Sequence, residues 1–243
     1  MIVLYTDFGA QGPYMGQLHA VLKTHAPSQE IVHLQSDAPG DPRLSSYLLA
    51  ALRKSFPALS VFLAIVDPGV GGRRLPIVLK ADNQWFVGPD NGLFNSVAVQ
   101  SRQPEWSIIE WRPAVLSASF HGRDLFAPIA ARLAASGCRD QIRPYQGPDL
   151  KDWAADCNEI IYIDYYGNAM SGLRYSKDLK GKILIVNGTR IHYAETFCAA
   201  SQYEAFWYGN SSGLVEIAVN QGRASVALGL QLGMSFCFQD SEI

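Results

Sequence analysis

Residues 61–74 read VFLAIVDPGVGGRR: an unbroken apolar run, an aspartate, a glycine-rich loop and two arginines. An apolar run of this kind between loops is typical of a strand buried on both faces, as in a sheet covered by helices on both sides. Around it we predict strands at 2–5, 31–34, 77–79 and 85–87, and helices over 13–22, 44–52 and 126–133. This alternation predicts an α/β domain with a mostly parallel sheet, which we assign to residues 1–150.

The second part of the chain follows a different pattern. Residues 141–149 (QIRPYQGPD) combine two prolines and a glycine with polar residues, which predicts a linker. Beyond it, Asn187-Gly188 separates two short apolar runs and suits a type I′ hairpin turn. We predict strands at 182–186, 189–191, 214–219 and 235–238. The sequence therefore predicts a smaller β-rich, barrel-like domain over residues 155–243.

The composition limits the possible partners. A net charge of −2 gives no basic stripe for nucleic acid, and the scattered Lys and Arg residues do not favour an anionic membrane surface. No apolar run approaches the roughly 20 residues of a membrane helix. The chain opens directly on the apolar run 2–5 without the pattern of a signal peptide. We therefore expect a cytoplasmic protein with no nucleic-acid or membrane partner.

The four cysteines are far apart and include no Cys-x-x-Cys pair. This spacing argues against a structural zinc site and against a disulfide framework. We expect four thiols, mostly buried, in a reducing compartment, and no metal site. The cysteines are Cys138, Cys157, Cys198 and Cys237.

Polar clusters follow several predicted strands or open a helix, where α/β proteins bind ligands. The clusters are 6–9 (TDFG), 67–74 (DPGVGGRR), 88–92 (GPDNG) and 120–124 (FHGRD). Each has a simpler interpretation. An aspartate at a strand end is commonly a turn residue, and residues 89–92 suit a plain turn. His121 could have no role beyond donating a hydrogen bond to a backbone carbonyl. The glycine-rich loop lacks both common phosphate-binding motifs. Several such groups at the strand ends of one sheet nevertheless tend to converge on one cleft.

In this order, and together with 163–168 (IDYYGN) and 210–220 (NSSGLVEIAVN), the clusters resemble the S-adenosylmethionine hydroxide adenosyltransferase family over nearly the whole chain. That family is the hydrolytic relative of fluorinating and chlorinating enzymes. The resemblance implies hydrolysis of S-adenosyl-L-methionine to adenosine and L-methionine, by attack of water on the ribose 5′ carbon. The substrate is a sulfonium, so methionine leaves as a neutral thioether, and no cofactor is expected.

The resemblance also implies a catalytic triad of Asp67, Arg74 and His121. Asp67 would orient the water and accept its proton, or share that task with His121. Arg74 would hold Asp67 ionised and in position. Substrate-binding roles are implied for Asp7 (ribose hydroxyls), Asn168 (the second domain's side of the substrate), Ser211 and Glu216 (methionine end), Val219 (backbone to adenine) and Phe197 (stacking on adenine, unless it is a core aromatic).

Two other functions are weighed against hydrolysis. A halogenase is disfavoured because the carboxylate of Asp67 would repel a halide. A non-catalytic sensor of adenosine or S-adenosylmethionine would not need the complete triad. The resemblance further implies a homotrimer, with each site between the first domain of one subunit and the second domain of its neighbour. The sequence departs from the family pattern at Gly12, Ser36, Tyr166 and Gly172, which puts details of substrate binding in question rather than the reaction.

Overall fold

The computed structural model describes residues 1–135, 137 and 139–240. These residues form two compact units, which divide between residues 155 and 156. Cys138 lies outside the described residues. Of the other three cysteines, Cys157 is buried, whereas Cys198 and Cys237 are exposed, so the expectation that most thiols are buried is wrong for these two. Among the described residues, no helix combines the length and the apolar character that a bilayer crossing requires.

The first unit contains seven strands and four α-helices in its described part. The strands are β1 (Ile2–Thr6), β2 (Ile31–Gln35), β3 (Val61–Ile65), β4 (Pro76–Ala81), β5 (Gln84–Pro89), β6 (Glu105–Ile109) and β7 (Ile142–Tyr145). The helices are α1 (Tyr14–His25), α2 (Pro42–Leu52), α3 (Asn95–Val99) and α4 (Ala127–Ala135), the last continuing a π-helical turn, Gly122–Phe126.

The sheet of the first unit is mixed, so the prediction of a mostly parallel sheet is wrong. Its strand order is β2-β1-β3-β5-β4-β6-β7, and only the first four of these strands run parallel. The strands β4, β6 and β7 pair antiparallel. Only Asp82 and Asn83 connect β4 to β5, and both have positive φ, which is the geometry of a type I′ hairpin turn. A two-residue connection can join only antiparallel strands.

The predicted linker 141–149 is also partly wrong, because residues 142–145 form β7. This strand pairs with β6 at the edge of the sheet, where Pro144 lies opposite Ser107. Proline is tolerated there because an edge strand has no second neighbour that needs its missing N–H.

Helices cover both faces of the sheet around β3, which is buried along its whole length as predicted. The apolar residues of α1 and α4 pack on one face, against alternate side chains such as Leu4 and Leu63. On the other face, Tyr5 donates its hydroxyl to the carbonyl of Ser45 in α2 (3.0 Å). The alternation of sides follows from the two-residue period of a strand.

The second unit is a seven-stranded sheet with one short helix, α5 (Ala224–Ala227), in its described part. Its strands are β8 (Cys157–Ile163), β9 (Ala169–Arg174), β10 (Ile183–Val186), β11 (Thr189–Tyr193), β12 (Ala205–Gly209), β13 (Leu214–Val219) and β14 (Phe236–Gln239). Their order is β14-β10-β11-β12-β13-β9-β8.

This sheet curls into a half-closed barrel. A bridge joins Glu159 of the edge strand β8 to Ser235, the residue before the other edge strand β14, and the N–H of Ile160 donates to the carbonyl of Met234 (2.9 Å). The predicted hairpin is confirmed: β10 and β11 pair antiparallel across Asn187 and Gly188, which both have positive φ. The β-rich character of this part of the chain is thereby established.

Candidate active site

Asp67, Arg74 and His121 meet just beyond the carboxyl end of β3. The Nε atom of Arg74 lies 3.2 and 3.0 Å from the two carboxylate oxygens of Asp67, and its Nη2 lies 2.5 Å from Oδ2. The same Nη2 lies 2.9 Å from Nδ1 of His121. The side chains of Arg74 and Asp67 are only 10% and 5% exposed, so this ion pair is largely shielded from water.

The contact with Arg74 fixes the protonation state of His121. A guanidinium can only donate hydrogen bonds, so Nδ1 of His121 must accept, and the ring proton lies on Nε2. Burial lowers the pKa of His121 below its ordinary value, and the charge of Arg74 lowers it further. His121 is therefore neutral near pH 7 and offers an N–H donor on its other side.

Two backbone features hold the loop that carries Asp67 and Arg74. Gly71 has a φ of +81°, and a Cβ there would lie 2.6 Å from the carbonyl oxygen of Ala118. Only glycine permits this approach to the segment that precedes His121. On the β5 side, Asn91 donates its side-chain amide to the carbonyl of Val66 (2.8 Å), the residue before Asp67. Asn91 also accepts from the N–H of Leu93, as the turn interpretation of 89–92 predicts.

Asp7 follows β1 in the same unit. It lines a cavity of about 520 Å³ whose other walls include the rings of Phe8, Tyr14 and Phe120. Burial raises the pKa of Asp7, and the nearby charge of Asp67 raises it further. The sequence thus brings Asp7 into the electrostatic surroundings of the triad, as expected for residues that follow neighbouring parallel strands.

The second unit contains its own cavity, of about 740 Å³. All five substrate-binding residues that were predicted in this part of the chain line it: Asn168, Phe197, Ser211, Glu216 and Val219. Asn168 is held by Asp164, whose carboxylate accepts from both the N–H (2.8 Å) and the side-chain amide (3.1 Å) of Asn168. The ring of Phe197 is 37% exposed, and its edge contacts with Phe206 and Tyr208 leave part of it open.

Sequence reasoning missed other residues of this cavity. Tyr208 and Asn210 both donate to the buried carboxylate of Glu216, and Asp164 and Arg223 also line the walls. Asp164 lies in the motif 163–168 and Asn210 in the motif 210–220, so their positions in these motifs could have indicated them. Tyr208 lies in an apolar strand segment and reads as an ordinary core aromatic.

Two of the departures from the family pattern have local causes. Gly12 has a φ of +117°, a conformation that a residue with a side chain would adopt only with strain. A Cβ at Gly172 would lie 2.4 Å from the sulfur of Cys157, so a larger residue there would need a different neighbour. Ser36 accepts from the N–H of Gly9 through its backbone carbonyl, a contact that any residue could make (2.6 Å). The side chain of Tyr166 lines the cavity of the second unit.

No three His, Cys, Asp or Glu side chains of the described residues are grouped so as to hold a metal ion.

Two domain families match the chain in the same order as its two units. Residues 2–143 match the SAM hydroxide adenosyltransferase N-terminal domain, and residues 158–237 match the corresponding C-terminal domain. A protein of Thermus thermophilus named (R)-S-adenosyl-L-methionine hydrolase is 33% identical, over 96% of this chain and 97% of its own length. A Salinispora arenicola protein of the same name is also 33% identical, over 94% and 93% of the two chains.

Solved structures agree with these matches. An uncharacterized conserved protein from Thermotoga maritima superposes with a TM-score of 0.89 at 30% identity, over 98% of this chain and 99% of that one. A conserved hypothetical protein from Thermus thermophilus superposes with a TM-score of 0.77 at 31% identity and the same coverage. The ordered motifs, the two domain matches and the identity along the whole chain lead to one conclusion: the chain belongs to the S-adenosylmethionine hydroxide adenosyltransferase family.

Proposed function

We propose that the protein hydrolyses S-adenosyl-L-methionine to adenosine and L-methionine. The observation that carries the proposal is the contact of Asp67, Arg74 and His121 at the end of a buried strand, in a chain of this family. The relatives named (R)-S-adenosyl-L-methionine hydrolase support the same reaction.

In the proposed step, a water oxygen attacks the ribose 5′ carbon in line with the sulfur. The C5′–O bond forms as the C5′–S bond breaks, and the electron pair goes to sulfur, so methionine leaves as a neutral thioether. Protonation of the leaving group and a cofactor are both unnecessary. The water loses one proton, for which Asp67 is the acceptor. Holding the water at the carbon makes the step effectively unimolecular, which can lower the barrier by about 7–11 kcal/mol in good geometry.

The hydrogen bonds within the triad suit each of its three residues to a different role. Each carboxylate oxygen has two lone pairs, so Oδ1 of Asp67, which has one long contact with Arg74, can also accept from water. Since Nδ1 of His121 accepts from Arg74, His121 is suited to donate from Nε2 to the water oxygen rather than to take its proton. This supports Asp67 alone as the base. Arg74 neutralises and orients the carboxylate.

In the proposal, Asp7 binds the ribose hydroxyls, and the cavity of the second unit binds the rest of the substrate. Phe197 stacks on adenine, and the backbone of Val219 contacts the same base. Asn168 holds the substrate from the side of the second unit. Ser211 and Glu216 bind the methionine end. Support comes from the shared cavity and from the exposed ring face of Phe197.

The test is incubation of the purified protein with S-adenosyl-L-methionine in H₂¹⁸O. We expect equimolar adenosine and methionine, with one ¹⁸O atom in the 5′-hydroxyl of adenosine by mass spectrometry. The variant Asp67→Asn keeps the shape of the side chain and should lose about 10²–10⁴-fold in turnover while its circular dichroism is unchanged.

The same assay separates the alternatives. Binding without turnover would point to a sensor, and a 5′-halogenated adenosine formed in the presence of chloride or fluoride would point to a halogenase. Adenosine production by Asp67→Asn at the wild-type rate would remove Asp67 from the mechanism.

The proposal also includes a homotrimer, which the resemblance to the family implies, and a location in the cytoplasm. Native mass spectrometry should give three times the chain mass, and cell fractionation should recover the protein with cytoplasmic markers. A monomer at the concentrations that support activity would contradict the trimer.

A further inference from the structure

We infer that Tyr208 is a positioning residue, which holds the buried carboxylate of Glu216 as the counter-charge for the cationic amino-acid half of the substrate. The inference rests on the proposed function, since it assigns a role within the same substrate site.

Both oxygens of Glu216 are engaged by neighbours on the cavity wall. The hydroxyl of Tyr208 donates to Oε1 (2.5 Å), and the side-chain amide of Asn210 donates to Oε2 (2.7 Å). Tyr208 and Glu216 lie directly opposite each other on the antiparallel strands β12 and β13. Glu216 itself is only 2% exposed, yet it lines the 740 Å³ cavity. Its orientation is therefore set by two donors rather than by solvent.

The orientation of Asn210 is fixed independently. Its carbonyl oxygen accepts from the N–H groups of Ser212 and Leu214, so its NH₂ group must face Glu216. Tyr208 remains protonated, because burial and the adjacent carboxylate raise its pKa. Both of these hydrogen bonds are donated to Glu216, and each of them stabilises the charged form of its carboxyl group.

Opposing influences act on the charge of Glu216. Burial raises its pKa and is the largest effect, the hydrogen bonds from Asn210 and Tyr208 lower it, and the nearby Asp164 raises it again. Of the described groups around it, Tyr208 comes from β12 and Asp164 follows β8, whereas β9 presents Met170, which does not titrate. Removal of the Tyr208 hydroxyl therefore shifts Glu216 towards its neutral form.

A charged Glu216 fits this substrate class. S-Adenosylmethionine carries a sulfonium and an ammonium group, and a buried carboxylate attracts such cations more strongly than an exposed one. Phe197 and Val219 line the same cavity as Glu216, and Val219 is three residues further along β13, about 10 Å away. That spacing suits a ligand with an aromatic end and a cationic end.

The experiment compares Tyr208→Phe with Tyr193→Phe and Glu216→Gln. Phenylalanine at 208 keeps the ring against Phe197 and removes only the hydroxyl. Tyr193 is the matched control, because its hydroxyl lies 3.4 Å from that of Tyr175 in the same sheet and it does not line this cavity. We expect Tyr208→Phe to raise KM for S-adenosylmethionine about tenfold at pH 7 and less at pH 9, with kcat nearly unchanged. Glu216→Gln should raise KM at both pH values, and adding Tyr208→Phe to it should have no further effect.

A second readout does not depend on turnover. In protein with ¹³C-labelled glutamate carboxyl groups, the signal of Glu216, assigned from its loss in Glu216→Gln, should titrate at higher pH in Tyr208→Phe than in wild type or Tyr193→Phe. An unshifted titration overturns the inference whether or not the protein hydrolyses S-adenosylmethionine. The inference is also overturned if the wild type is active and Tyr208→Phe has the same KM as wild type at every pH. In that case the proposed function still stands. Absence of adenosine from wild type would instead overturn the proposed function.

Discussion

The guanidinium of Arg74 donates to Nδ1 of His121 across 2.9 Å, from the same nitrogen that binds Asp67. The two hydrogens of Nη2 are thus divided between a carboxylate and a neutral imidazole. Asp67 and His121 are coupled through a cation that cannot lose its proton, so neither can change its protonation state without disturbing the other.

The first prediction concerns the tautomer of His121. Because burial and Arg74 lower its pKa below the ordinary value of 6.5, we expect a neutral ring with the proton on Nε2 at pH 7. A long-range ¹H–¹⁵N spectrum of labelled protein reports this directly. The acid limb of kcat/KM should accordingly lie below pH 6.5, where protonation of Nδ1 breaks the contact with Arg74. A proton on Nδ1 at pH 7.5 would contradict the donor assignment.

The second prediction concerns Arg74→Lys. A lysine keeps the charge but cannot make the paired contacts with Asp67 and also reach His121, so the carboxylate loses its fixed orientation. Misplacement of a catalytic group by about 1 Å can cost about 10²-fold, and we expect at least that loss in kcat. The neighbouring Arg73 is exposed and makes the matched control, since Arg73→Lys should retain nearly full activity. Equal activity of the two variants would show that charge alone suffices.

The third prediction separates binding from folding at Phe197. Its ring is 37% exposed, whereas its neighbour Phe206 is 1% exposed. Phe197→Ala should weaken substrate binding by about 1–3 kcal/mol, the value of an aromatic face against a base, and change the melting temperature little. Phe206→Ala should lose about 3–5 kcal/mol of stability. If Phe197→Ala unfolds early and binds normally, Phe197 is a core aromatic.

The fourth prediction concerns the pH dependence of stability in Glu216→Gln. Burial raises the pKa of Glu216 in the folded state, so the folded protein favours the protonated carboxyl. The contribution of Glu216 to stability is complete below its unfolded pKa, near 4.5, and is lost as the pH rises through the folded value. Glu216→Gln should therefore melt at a higher temperature than wild type at pH 8 but not at pH 4.

Glutamine can keep both contacts of the carboxylate, because its oxygen can accept from Asn210 while its NH₂ group donates to the hydroxyl oxygen of Tyr208. The exposed Glu30→Gln is the control and should show no such pH-dependent gain. A lower melting temperature for Glu216→Gln than for wild type at pH 8 would contradict the prediction. A higher melting temperature combined with weaker substrate binding would show that Glu216 improves binding at the expense of stability.

Sequence patterns predicted those elements whose conformation depends mainly on residues that are adjacent in the chain. The buried strand at 61–66 and the Asn187-Gly188 hairpin follow from an apolar run and from a pair of residues that tolerate positive φ. The missed strand β7 shows the limit: Pro144 reads as a breaker, and only its place at the sheet edge makes a strand possible. Whether a strand is central or peripheral depends on pairing partners that are distant in the sequence.

The sequence by itself determined which residue types stand at the strand ends, in an order specific enough to indicate the family and to name Asp67, Arg74 and His121. Only the tertiary structure decided that one nitrogen of Arg74 joins the other two, and hence which nitrogen of His121 carries the proton. It also decided the direction of β4 and the pairing of Tyr208 with Glu216. The physical reason is the same in each case: residue type follows from the sequence, but hydrogen-bond direction and strand pairing depend on distances between residues that are far apart along the chain.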